Sequence, residues 1–307
     1  MPGKNEPLVV CHVFPFPAEK VFDAWLDPKS AGRWLFATPT GKMTKVEIDP
    51  RVRGKFAVVE QRGEESAEHH GTYLVIDRPR RLVFSFHTSH SPDPTRVSVE
   101  IAAVPGGCKL TLAHELDPKW PSFPELARQG WTGILDNLDS NLSPDPQFVI
   151  TRVFDAPREL AFRMWTDAKH LANWWGPRVM KTPVCEIDAR PGGKYRIVMR
   201  APDNVDYPIT GVFREVVPPQ RLVLTMDCSE HPDAWHDMIK PDRKKSETNP
   251  AGIMLTTVAF EESGGKTTMT VRQKLASPAI AEAMKKMGMR QGWSESLDRL
   301  AEYLKSN

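Results

Sequence analysis

The chain has 307 residues, room for about two domains of ordinary size. Its 41 Lys+Arg stand against 39 Asp+Glu with no dense basic block, which argues against nucleic acid and anionic membrane surfaces as partners. The opening "MPGKNEPLVVCHVF" lacks the apolar core of a signal peptide, and no apolar run is long enough for membrane insertion, so a cytoplasmic protein is expected.

In chain order, "PAEKVFDAWLDPKSAGRW" (17–34) predicts two short helices after a first strand. "KFAVVEQ" (55–61), "RPRRLVFSF" (78–86) and "GGCKLTLAHEL" (106–116) follow with the alternation of half-buried strands, the glycine pair reading as a hairpin turn. A closing helix carries Trp131, Leu135, Leu138 and Leu142 on one stripe. "SPDPQ" (143–147), a short polar stretch with two prolines, reads as a linker.

The whole order then repeats. "PRELAFRMWTDAKHLANW" (157–174) lies over 17–34 without a gap, "EIDARPGGKY" (186–195) over "EIDPRVRGKF" (47–56), and "GWSESLDRL" (292–300) over "GWTGILDNL" (130–138). This predicts two domains, 1–143 and 144–307, with an insertion in the second that reads as a loop over 229–250. Pro157 suits a helix start, and Asp167-Ala168 breaks that helix from a second ending at Trp174. Trp174 continues the inward face, whereas Trp175, one residue on, is free to cover the mouth between helices and sheet. Strands at 194–200, 221–226 and 267–275 turn Tyr195, Ile197, Met199, Leu222, Leu224, Met226, Met269, Val271, Gln273 and Leu275 to one side. The second closing stripe is Trp293, Leu297, Leu300 and Leu304. Helices bracketing a run of antiparallel strands define an α+β class.

Pro157, Phe162, Trp165, "WWGP" (174–177), "EIDARPGGKY" and Gly292-Trp293 resemble the SRPBCC superfamily. This is the START-like, birch-pollen-allergen-like group with the helix-grip fold. Within it the chain is similar to the branch of the C-terminal domain of the activator of the ninety-kilodalton heat-shock protein ATPase. The resemblance runs over the whole chain twice and is weaker in the first copy, where "RWLFATPTG" replaces "WWGP". It implies two tandem helix-grip domains, each a curved antiparallel sheet with two short helices and one long C-terminal helix around a cavity.

Such a cavity in the second domain would be lined by Trp175, Tyr195, Ile197, Met199, Phe213, Leu224, Met226, Met284, Met287 and Trp293, a set suited to a hydrophobic or aromatic small molecule. The competing reading is a solid core. Gly288 and Gly292 would loosen a helix over that pocket. His114 and Glu60 share the inward face of the first domain, where a His–Glu acid–base pair competes with a satisfied core histidine. His231, Asp233, His236 and Asp237 in the insertion are metal-ligand types without metal-site spacing. No motif for a nucleotide, a cofactor or a nucleophile elbow occurs, so neither metal nor cofactor is expected. Cys11, Cys108, Cys185 and Cys228 lack CxxC spacing and read as buried free thiols, not a disulfide frame. Three functions follow: a binding protein for a hydrophobic small molecule, a cyclase/aromatase-like enzyme of the same superfamily, or a co-chaperone in contact with a chaperone. The last fits less well, because both halves are the same module and the activator's other domain has no counterpart.

Overall fold

A computed structural model describes residues 6–38, 40–116 and 123–306. The chain divides into two compact units, Met1–Pro144 and Asp145–Asn307. The first runs β1 (Leu8–Phe14), α1 (Ala18–Ala24), α2 (Pro28–Trp34), β2 (Lys42–Ile48), β3 (Lys55–Arg62), β4 (Glu65–Asp77), β5 (Arg81–Thr88), β6 (Ser91–Val104), β7 (Gly107–Glu115) and α3 (Phe123–Leu142). The second runs β8 (Gln147–Phe154), α4 (Arg158–Thr166), α5 (Ala168–Trp174), β9 (Lys181–Ile187), β10 (Lys194–Arg200), β11 (Asp206–Val217), β12 (Arg221–Met226), α6 (Asp233–Ile239), β13 (Met254–Ser263), β14 (Lys266–Lys274), α7 (Pro278–Lys286) and α8 (Met289–Leu304). Each unit holds one seven-stranded antiparallel sheet, ordered β1-β7-β6-β5-β4-β3-β2 and β8-β14-β13-β12-β11-β10-β9. A long helix follows each sheet. The α+β, helix-grip reading of the sequence is therefore correct.

Local chemistry explains the repeated helix pair. Pro17 and Pro157 stand at the N-caps of α1 and α4, where a missing N–H costs nothing. Asp27 and Asp167 then cap α2 and α5, accepting backbone N–H groups of Lys29 and Ser30 in the first and Lys169 in the second. The faces between carry Phe22, Trp25, Phe162 and Trp165 into the cores. Leu135, Leu138, Leu297 and Leu300 are wholly buried, so the long helices lie on the sheets by their leucine stripes.

First strand and last helix are also tied by a polar contact at matching places in both repeats. His12 Nδ1 lies 3.7 Å from Asp136 Oδ1, and at the same places in the second repeat Arg152 lies 2.9 Å from Asp298; His12 Nε2 also meets Asp139 Oδ2 at 2.7 Å, a carboxylate whose counterpart is Ala301. Two chemistries doing one job mark His12 as a structural group.

Three expectations change. The insertion is not merely a loop: Pro232 caps α6, which buries His236 and Ile239 at helical spacing. Its polarity is absorbed internally, since Arg243 pairs with Asp233 and Asp237. Second, the closing helix of the second unit is broken. Gly288 takes φ +82°, a left-handed conformation that ends α7 and starts α8, so Gly288 is a joint and only Gly292 lies inside a helix. Third, all four cysteines are free, but only Cys108 and Cys228 are buried; Cys11 and Cys185 are half-buried. Among the described residues no helix is long and apolar enough to cross a membrane.

Candidate functional site

The segment leaving α5 shapes the site. Trp174 is wholly buried and its indole Nε1 donates to the carbonyl of Met164 at 3.0 Å. Trp175 leaves the helix with extended backbone, which swings its ring away from the stripe Trp174 occupies. Gly176 follows at φ +90°, and a Cβ there would stand 3.0 Å from the sulfur of Met199. Arg299 of α8 grips this segment. Its Nη1 donates to the carbonyls of Trp175 and Gly176 at 3.1 and 2.8 Å, and its Nη2 to that of Asn173 at 2.9 Å. These backbone oxygens have lost helical partners, and one planar guanidinium satisfies them together.

Between this segment, the sheet, α6 and the broken helix lies a cavity of about 230 Å³. Its wall is mostly sulfur and indole. Met199, Met226, Met254, Met284, Met287 and Met289, six of the chain's 12 methionines, line it with Trp175, Trp235 and Trp293. Trp175 meets Trp293 edge-on at 5.5 Å and Trp165 edge-on at 5.7 Å, which fixes the aromatic side. The polar side chains in the wall are Gln273 and Ser296, and Ser296 Oγ is already bonded to the carbonyl of Gly292. Among the described residues no ionisable side chain lines the cavity.

Of the residues named from sequence, Trp175, Met199, Met226, Met284, Met287 and Trp293 come together in this wall. Tyr195, Ile197, Phe213 and Leu224 do not; they are buried in the packed core, where the Tyr195 ring packs tilted against Phe213 at 5.6 Å and its hydroxyl donates to the carbonyl of Thr225 at 2.7 Å. They share the inward face of the sheet, but strand alternation fixes the face and not the distance along it. Sequence reasoning missed Ile209, Met254 and Met289, and above all Trp235, which the insertion delivers to the cavity. The signal for Trp235 was present: an insertion confined to one repeat, at the same strand junction, holding one large aromatic.

At the same location the first domain carries an additional aromatic ring. By the repeat, Phe36 stands at Gly176, Glu60 at Met199, His69 at Ile209, Phe86 at Met226, His114 at Gln273 and Trp131 at Trp293. Phe36 is buried and holds φ +59°, a left-handed conformation uncommon outside glycine. Its ring stacks on His69 at 4.0 Å and lies 5.5 Å from Phe86 and 5.9 Å from Trp131. His114 and Glu60 do not form an acid–base pair. Trp131 Nε1 donates to His114 Nδ1 at 3.1 Å, which leaves Nε2 to donate to Thr95 Oγ1 at 2.8 Å, and Thr95 passes its proton to the carbonyl of Phe86. Glu60 accepts instead from Thr38 and from Arg62 Nε at 2.7 Å. His114 is the satisfied core histidine.

Burial pushes the His114 and His69 imidazoles down to about 4, and burial with the neighbouring His236 does the same to His231. A folded-state value below the unfolded 6.5 means full stability above pH 6.5 and loss as pH falls, because the unfolded chain takes up the proton first. Between pH 7 and pH 5, His114 alone should account for about 2 kcal/mol of lost stability. Urea unfolding of His114→Gln, the residue of the second repeat, should show a flatter pH dependence over that window. An unchanged slope would remove His114 from the account.

In the insertion, His231 packs edge-on against Trp235 at 4.4 Å and Tyr207 at 5.3 Å, and His236 against Trp235 at 5.2 Å. Asp233 and Asp237 are turned to Arg243, so the four groups are not assembled as a ligand set. Among the described residues no cluster of three or more His, Cys, Asp or Glu is placed to hold a metal ion.

Two seven-stranded antiparallel sheets, each with a helix pair between its first two strands in the chain and a long helix after its last, define a tandem pair of SRPBCC-type helix-grip domains. Residues 15–143 and 155–305 each match the family model "Activator of Hsp90 ATPase homolog 1-like protein", and the chain belongs to that family. Solved structures similar to it include a protein of Nitrosomonas europaea, 24% identical, covering 52% of this chain and 94% of that one with a TM-score of 0.43. Another, from Arthrobacter aurescens, is 23% identical over 52% of this chain and 87% of that one, with a TM-score of 0.43. The AHSA1-like protein from Aeromonas hydrophila is 26% identical over 44% and 91%, with a TM-score of 0.37. No curated protein matches the chain.

Proposed function

We propose that the second domain binds one neutral hydrophobic or aromatic small molecule per chain, and that the first domain is its filled structural counterpart. The observation that carries this reading is the contrast at one repeated position. Gly176 leaves space under the Trp175 and Trp293 rings, whereas Phe36 occupies it. A volume of about 230 Å³ exceeds the roughly 150 Å³ of an apolar cavity known to take benzene and is below that of a drug-sized site, so it suits a one- or two-ring molecule. Methionine side chains adapt to irregular shapes, which suits tolerance within that class. An enzyme reading lacks support: among the described residues no acid or base lines the cavity, and the Ser296 hydroxyl there is bonded to the carbonyl of Gly292 with no base beside it.

Native mass spectrometry of freshly purified chain should show one co-purified apolar molecule, or one equivalent of naphthalene after titration. Met284→Arg, which sets a charge in the buried wall, should abolish uptake while the first domain stays folded. A wild-type chain that takes up neither molecule would sink the proposal.

A further inference from the structure

Resting on that reading of the cavity, we infer that its ligand carries a hydrogen-bond donor, a hydroxyl or an N–H, and that Gln273 is the residue that selects for it. Gln273 sits on β14, is 1% exposed and lines the cavity. Its Nε2 donates to Met226 Sδ at 3.0 Å and to Thr256 Oγ1 at 3.1 Å. A thioether sulfur accepts and cannot donate, so the amide is held with nitrogen towards Met226 and oxygen on the opposite side. Among the described residues no hydrogen bond reaches that oxygen. Ser296 has committed its hydroxyl proton to Gly292, and none of the three indoles in the wall donates to the amide.

The repeat sharpens the point. At the matching place in the first domain, Trp131 donates to His114 and closes the network. Trp293 stands where Trp131 does but makes no such bond to Gln273. The second domain therefore has a polar group at this place without the internal donor that its counterpart has. A buried acceptor left unpaired is costly, and a ligand that supplies the donor recovers that cost. Carboxylates are excluded, because no cation lines the cavity and the oxygen would face another acceptor. The ligand class is a neutral one- or two-ring molecule with a phenolic, alcoholic or N–H donor at one end.

The full chain is titrated by calorimetry with 2-naphthol, its near-isosteric donor-free partner 2-methylnaphthalene, and the acceptor-only quinoline. Gln273→Met is titrated with the first two. The wild type should bind 2-naphthol more tightly than quinoline. The affinity ratio of 2-naphthol to 2-methylnaphthalene should fall roughly tenfold or more in Gln273→Met, since the hydroxyl then enters the cavity unpaired. An unchanged ratio, or quinoline bound as tightly as 2-naphthol, overturns the donor assignment and leaves the cavity reading standing. Should Gln273→Met fail to give a cooperative melt, the order of 2-naphthol and quinoline on the wild type decides alone. Absence of binding by all three overturns this inference together with the cavity reading.

Discussion

Trp174→Ala will lower the unfolding free energy of the second domain by about 3–5 kcal/mol, the range for emptying a large core position. Trp175→Ala will lower it by less. The two residues are adjacent and both buried, so exposure does not separate them. Their surroundings do. Trp174 is enclosed on every side, packs 5.1 Å from Trp165, and anchors the end of α4 through its bond to the Met164 carbonyl. Its loss leaves a cavity inside close-packed protein, and that carbonyl loses its indole donor. Trp175 faces existing space on one side, so its removal enlarges a cavity already present and forfeits fewer contacts. It should also weaken naphthalene uptake, which Trp174→Ala should not do below the unfolding range. Urea titrations of both variants with a parallel uptake measurement test this directly. Equal stability losses with uptake untouched in both would mean that Trp175 is ordinary core and that the cavity is not a site.

The Trp pair also shows how far sequence reasoning reached. Their one-residue offset, and the pairing of Trp174 with Trp34 but of Trp175 with Leu35, separated a packing role from a cavity role before any coordinates. Periodicity and the internal repeat disclosed both sheets, both helix pairs and the leucine stripes, because burial on one face leaves a mark at fixed spacing. What stayed hidden depends on distance along a face. Tyr195, Ile197 and Met199 alternate identically, yet only Met199 reaches the cavity. The insertion looked like a loop because its charges outnumber its apolar groups; Arg243 neutralises them locally and lets α6 carry Trp235 inward. Gly288 and Gly292 read alike in the sequence, as room for close approach to the sheet or for a bend over the pocket; the bend falls at Gly288, and Gly292 lies inside α8. Gln273 was visible as an inward polar residue, but its partners lie on β12 and β13, which only the fold brings beside it.

Phe36→Gly should open in the first domain the cavity that the second already has. The wild-type residue holds a left-handed backbone at φ +59°, which costs a non-glycine residue about 1–2 kcal/mol, and glycine relieves that strain. Against this stands the loss of a buried aromatic ring, about 3–5 kcal/mol. The net result is a destabilisation of about 1–4 kcal/mol, smaller than for Trp174→Ala although both remove a buried aromatic. The backbone has reason to stay in place. The Phe36 carbonyl accepts from Arg62 Nη2 at 3.1 Å, and Arg62 and Thr38 are both held by Glu60, contacts that do not involve the ring. The space vacated is bounded by His69 and Phe86, which stacked on the lost ring, and by Trp131, tilted against it, and remains aromatic. Naphthalene uptake should therefore rise from one to two equivalents per chain, with the second site blocked by Met284→Arg and the first indifferent to it. If Phe36→Gly unfolds at the same urea concentration as the wild type and still takes one equivalent, the ring is not a plug, and the difference between the two domains must lie elsewhere in their walls.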